Sequence, residues 1–240
     1  MTELTPQQVT LPRRVVAEAL GTALLVAVIV GSGIMGDRLS GGSAGVALLA
    51  NSLATGAGLT VLILTLGPVS GAHFNPVVSL VATWQGELRP LDTAFYVATQ
   101  FVAAAIGAAT ANIMFGEPAI SFSPRVRTGP AQLLSEFIAT FALIGVIEAV
   151  SRRRPHYIPF AVGMYITAAY WFTSSTSFAN PAVTVARCLT ATFTGIRPSD
   201  VPGFILAQSA GAAAAAGVFR WLVPPTRTSS TISIPLRARR

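Results

Sequence analysis

The chain has 240 residues, a length that would ordinarily suit one or two soluble domains. Its composition excludes that: hydrophobic residues make up 52%, charged residues only 10%, and mean hydropathy is +0.63, against ~25% charged in an ordinary globular protein. All sixteen basic residues are Arg, and against nine acidic residues they leave a net charge of +7. They sit in short loops and near the termini rather than on one face, so a nucleic-acid partner is not expected. The single cysteine, Cys188, excludes an intramolecular disulfide and a Cys-rich metal site.

Taken in chain order, Met1 to Pro12 is polar and does not read as a cleavable signal peptide. No Asp, Glu, Lys or Arg falls from Leu39 to Gly86, Thr93 to Gly116, Pro155 to Ala186 or Val201 to Phe219. A helix needs ~20 apolar residues to cross a bilayer. Six segments read as spans: Val15–Met35, Ala44–Leu66, Thr93–Phe115, Ala131–Val150, Ile158–Phe172 and Val201–Leu222. The fifth is the weakest, because Pro159 and Thr/Ser residues crowd it. Two further apolar stretches, Asn75–Trp84 and Asn180–Phe193, are too short to span, and each opens with Asn-Pro. Asn caps a helix and Pro suits the first turn, so each is expected to start a half-helix at Asn. Such elements persist at membrane depth only when packed in protein or lining a water-filled cavity.

The spans repeat. Ala17-Glu18-Ala19-Leu20-Gly21-Thr22 returns as Ser135-Glu136-Phe137-Ile138-Ala139-Thr140, and Asn75-Pro76-Val77 as Asn180-Pro181-Ala182. Arg89-Pro90-Leu91-Asp92 returns as Arg197-Pro198-Ser199-Asp200, and Gln100 as Gln208. Each half, about 13–116 and 131–223, holds three spans and one half-helix. An odd number of spans makes the second half enter from the opposite side, an inverted repeat whose special elements meet near the midplane. The expected fold is therefore an all-α membrane protein in one channel-sized domain over 1–240. Its tail from 224 to 240 reads as disordered and cytoplasmic. Eleven of the sixteen arginines fall on the side of the termini, which the positive-inside rule places in the cytoplasm.

Ser70-Gly71-Ala72-His73-Phe74-Asn75-Pro76-Val77 and Ser177-Phe178-Ala179-Asn180-Pro181-Ala182 are the decisive segments. With them the chain resembles the aquaporin (major intrinsic protein) family over about residues 13–223. Two such boxes, one per half, with Glu-x-x-[Gly/Ala]-Thr in spans one and four, are highly specific; the first box departs only in Val77. The resemblance implies a passive, multi-pass channel for small neutral solutes in the inner membrane, with no enzymatic activity, cofactor or metal, assembled as a homotetramer in the bilayer. It places carbonyls of Gly71, Ala72 and His73 and of Ser175, Thr176 and Ser177 along the pore, and has Glu18 and Glu136 hold those loops. Ionisable groups within spans otherwise suggest proton coupling, but the symmetric placement of the two Glu favours the structural role. The half-helix N-termini, each carrying about half a positive charge, would repel cations and protons, as is established for aquaporins.

The family's outer constriction uses four side chains, usually including an Arg directly after the second box. Here that position is Val183, and counting back from Asn180 and Asn75 puts the others at Ser177, Ala168 and Thr55. Such a filter is wide and nearly neutral, open to glycerol, urea or trihydroxy acids such as arsenite, As(OH)3. The run from Phe178 to Arg187 resembles the bacterial subgroup associated with arsenic-resistance genes. Arg187 lies one i,i+4 step beyond Val183; it either reaches back to the outer mouth or anchors loop carbonyls. The alternatives are a glycerol or urea facilitator with no metalloid role and a secondary transporter, which also uses inverted repeats.

Overall fold

The computed structural model describes residues 9–224; residues 1–8 lie outside it, as does the tail from 225 onward that the sequence marks as disordered. The described residues form eight α-helices: α1 Leu11–Leu39, α2 Ala44–Ser70, α3 Pro76–Trp84, α4 Pro90–Met114, α5 Pro130–Arg153, α6 Ile158–Phe172, α7 Pro181–Arg187 and α8 Val201–Leu222. Among them α1, α2, α4, α5 and α8 are long and apolar enough to cross a membrane. The expected fifth span, α6, has only 15 residues, or ~22 Å at 1.5 Å per residue. It starts after a 3-10 turn at Pro155–Tyr157 and stops at Thr173, where the chain turns extended to run back into the molecule.

Packing follows the repeat. In one half α1 lies against α2 and α4; in the other α5 lies against α6 and α8; α2 against α6 is the main helix seam between halves. Helices in lipid gain from close approach, which small residues permit. Gly107 of α4 would place a Cβ 2.2 Å from the Ala23 carbonyl oxygen of α1, and Gly211 of α8 would place one 2.3 Å from that of Phe137 in α5. Neither site has room for a side chain. The repeated Arg-Pro-x-Asp motifs perform one task twice. Arg89 pairs with Asp92 at 3.0 Å and Arg197 with Asp200 at 2.8 Å, each in the turn that opens α4 or α8. Arg14 adds a buried partner to Asp92 at 2.9 Å. Glu148 and Arg152 form the i,i+4 pair expected of their spacing.

Both half-helices start where Asn-Pro dictates. The Asn75 side chain accepts from the Val77 amide at 3.1 Å, and that of Asn180 from Ala182 at 3.0 Å and Val183 at 3.3 Å. The second is shorter than the apolar stretch Asn180–Phe193, ending at Arg187 with Cys188 as its cap. Beyond that point the chain pairs with the α4–α5 connection. Ser123 N–H donates to the Cys188 carbonyl and Ser121 N–H to that of Leu189, both at 3.0 Å, while Asn112 Nδ2 also donates to Leu189. Distant partners, not a local stop signal, end the helix.

Candidate pore and its constriction

The two loops that lead into the half-helices carry matching backbone strain. Ala72 and Phe74 have φ of 52° and 48°, and Ser177 and Ala179, the same places in the second repeat, have 50° and 48°. Non-glycine residues in this left-handed region cost on the order of 1–2 kcal/mol each. Two fully buried carboxylates hold these turns. Glu18 of α1 accepts from the His73 amide at 2.9 Å, the Phe74 amide at 2.7 Å, the Ser70 hydroxyl at 2.7 Å and Gln100 Nε2 at 2.8 Å. Glu136 of α5 accepts from the Phe178 amide at 2.8 Å, the Ala179 amide at 2.9 Å and Gln208 Nε2 at 2.6 Å. Charge-assisted bonds of this kind are worth ~1.5–3 kcal/mol each, enough to offset the strain. Both carboxylates thus bond to the loops that lead into the half-helices.

The loops meet at the asparagines. Asn75 Nδ2 donates to the Ala179 carbonyl and Asn180 Nδ2 to the Phe74 carbonyl, each at 2.8 Å. Each amide therefore spends one N–H on the opposite loop and keeps one. Pro76, Val77, Pro181 and Ala182 are buried in the first turns of α3 and α7, with Val77 in one hydrophobic cluster with Ile144, Ala212 and Ala216.

A single cavity of about 570 Å³ runs past both asparagines. Its α3 end is bordered by Arg14, Gln85, Glu87 and Glu148, and its other end by Thr55, Tyr170, Ser177 and Arg187. Gly71, Ala72 and His73 line it, with His73 Nδ1 3.0 Å from the Ser79 hydroxyl. Ser175 and Thr176 are not in its lining; the Ser175 carbonyl instead accepts from Arg127 Nη1 at 2.9 Å. At the α3 end, burial and then the nearby Glu148 raise the Glu87 carboxyl above the usual range, against a lowering by Arg152.

Of the four expected filter positions, Thr55, Ser177 and Val183 border the cavity. Ala168 does not: it lies on the exposed face of α6. The lumen face of that helix is Ile158, Val162, Ile166 and Tyr170, steps of four that put position 168 on the far side. The α6 residue that borders the cavity nearest Thr55 is Tyr170, whose hydroxyl lies 3.2 Å from the Thr55 hydroxyl. The Ser177 hydroxyl is buried without a partner.

Arg187 meets both a loop carbonyl and the cavity. Its Nε donates to the Thr194 carbonyl of the following loop, and its guanidinium borders the cavity without an ion-pair partner among the described residues. The guanidinium carbon stacks 3.4 Å from the centre of the Phe178 ring, and that of Arg127 lies 5.0 Å from the same ring. Arg127, in the α4–α5 connection, is not visible as a site residue in the sequence. Its bonds to Ser175 and Gly195 join parts of the chain with no local pattern in common. Burial, then the nearby Arg125, lowers its pKa to about 10, so it stays charged at neutral pH.

Paired half-helices capped by Asn, their caps tied to each other's loops beside one cavity inside an inverted helical repeat, define a membrane channel of the aquaporin class. The profile of the major intrinsic protein family matches residues 5–177 and 154–238. The chain is 56% identical to aquaglyceroporin AqpS of Rhizobium meliloti (strain 1021) over 221 residues, 92% of this chain and 94% of that protein. It is 29% identical to the probable aquaporin AqpM of Archaeoglobus fulgidus over 89% of this chain and 98% of that one. In fold it resembles the X-ray structure of the aquaglyceroporin from Plasmodium falciparum, with a TM-score of 0.66 at 20% identity, covering 89% of this chain and 95% of the other. The chain belongs to the major intrinsic protein family of membrane channels for water and small solutes.

Proposed function

We propose that the chain is a passive channel for water and small uncharged hydroxylic solutes of glycerol size, and that trivalent arsenite, As(OH)3, is among them. The observation that carries this reading is Val183: the position directly after the second Asn box bears an isopropyl group, and it borders the cavity. An isopropyl group there takes less space beside the box than a guanidinium would, and the Arg187 guanidinium at the same end of the cavity is stacked on Phe178, which leaves room for a solute larger than water. Donors at Asn75 and Asn180 and the loop carbonyls of Gly71 to His73 offer a hydroxylic solute partners of both kinds. No carboxylate is free near the boxes among the described residues, since Glu18 and Glu136 are fully engaged; that favours a channel over an ion-coupled transporter. The protein so read sits in the bacterial inner membrane as a homotetramer with cytoplasmic termini. Stopped-flow light scattering on proteoliposomes tests the reading. Glycerol, urea and As(OH)3 should enter faster than into empty liposomes, and water flux without any solute flux would overturn it.

A further inference from the structure

Charge is balanced at one end of the cavity and not at the other. At the α3 end Arg14 pairs with Asp92 and Arg152 with Glu148. At the opposite end stand Arg125, Arg127 and Arg187, and none of the three has an ion pair among the described residues. The carboxylates on neighbouring segments are already committed. Asp200 bonds to the Arg197 guanidinium and the Arg127 amide, and Glu136 to the Phe178 and Ala179 amides and Gln208. Arg127 and Arg187 moreover share one ring, their guanidinium carbons 5.0 and 3.4 Å from the centre of Phe178. Like charges this close repel, and Arg187 is only 2% exposed, so salt and water screen it poorly. An uncompensated guanidinium at membrane depth is costly.

Hydrogen-bond donors are left over along with the charge. Arg187 Nε bonds to the Thr194 carbonyl, while its two Nη nitrogens bond to none of the described residues and the side chain borders the cavity. Arg127 bonds through Nε to the Gly195 carbonyl and through Nη1 to that of Ser175, and keeps Nη2. A planar guanidinium fork matches an oxyanion, which offers several oxygens to one fork, better than it matches a halide. The carbonyl bonds and the Phe178 ring fix both forks beforehand, so little side-chain freedom is lost on binding.

We propose that Arg187, with Arg127 behind it, forms a binding site for a small oxyanion such as phosphate at this end of the cavity, and that the bound anion obstructs the path of the neutral solute. The obstruction rests on the channel reading above; the binding does not. α7 runs away from Asn180 at the centre, and Arg187 lies one turn beyond Val183, ~6 Å further along the axis. An anion held there stands between bulk water and the second Asn box.

Two measurements on the full chain test this, each variant first checked by size-exclusion chromatography and circular dichroism. In detergent, sodium phosphate should raise the melting temperature of the unaltered protein above its value in sodium chloride of equal ionic strength, because a ligand of the folded state stabilises it by mass action. Arg187→Gln should lose that rise. In proteoliposomes with the same salts on both sides, glycerol entry should slow about twofold at the phosphate concentration that half-saturates the site, and further above it. In Arg187→Gln the rates in phosphate and chloride should become equal. Arg187→Lys keeps the charge without the fork and should need more phosphate for the same slowing; Arg127→Gln should do likewise, and serves if Arg187→Gln fails to fold. No rise in melting temperature for the unaltered protein would overturn the site, as would an equal rise in folded Arg187→Gln. A rise without any slowing of glycerol would overturn the obstruction. An unaltered protein that passes no glycerol even in chloride would contradict the channel reading, and the melting measurement would still decide the site.

Discussion

Asn75 of the first half donates its side-chain N–H to the carbonyl of Ala179 in the second, and Asn180 returns the same bond to Phe74. Each asparagine thus does three things at once: it caps its own half-helix, ties the two repeats together and retains one N–H. Replacing either by aspartate removes the cross-tie donor and sets a carboxylate against a carbonyl at the pore centre. Asn180→Asp should admit cations, measured as Na+ or proton flux into proteoliposomes, while the unaltered protein excludes both. Sizeable proton current through the unaltered protein would show that the boxes do not exclude ions unaided.

The carboxylates beneath the loops make a stability prediction. Glu136→Gln retains the size of the side chain but turns an NH2 toward the Phe178 and Ala179 amides, leaving one of them without an acceptor. The expected loss is ~1.5–3 kcal/mol, read as a lower melting temperature in detergent. Glu18→Gln should do the same through His73 and Phe74. If proton coupling were the role of these residues, the variants would keep their stability and lose a pH-dependent flux instead.

Val183→Arg adds a guanidinium beside the second box. Glycerol and As(OH)3 flux should fall about tenfold relative to water, equivalent to ~1.4 kcal/mol in the barrier. An unchanged ratio of solute to water flux would show that position 183 does not limit the passage.

Asp200 links the α4–α5 connection to α8. Burial opposes its ionisation, but Arg197 and the Arg127 amide outweigh that and hold its carboxyl below the ordinary carboxylate range. A lowered folded pKa gives stability that is present above the unfolded value, near 4, and lost as pH falls through the folded one. The protein should therefore melt at lower temperature as the pH drops below about 4. Asp200→Asn should lower the melting temperature at neutral pH and flatten this part of the pH dependence.

How far the sequence carries the fold and site depends on how local each signal is. The boxes are legible because an Asn cap followed by Pro is a rule of a few adjacent residues, and both half-helices start where it says. The loop-holding role of Glu18 and Glu136 is legible because the repeat writes it twice. Ala168 fails for the opposite reason. Counting back from Asn180 presumes a fixed length of chain between α6 and the box, whereas the lumen face depends on helical phase over Ile158–Tyr170. The early end of α7 and the site contacts of Arg127 likewise rest on partners scores of residues away in the chain.

The most direct test of the central claim is the initial rate of glycerol entry into proteoliposomes over a range of concentrations, with and without imposed proton and sodium gradients. A passive pore predicts a rate that follows the glycerol gradient alone, close to linear in concentration and indifferent to both ions. A rate that saturates and collapses when the ion gradients are removed would contradict it.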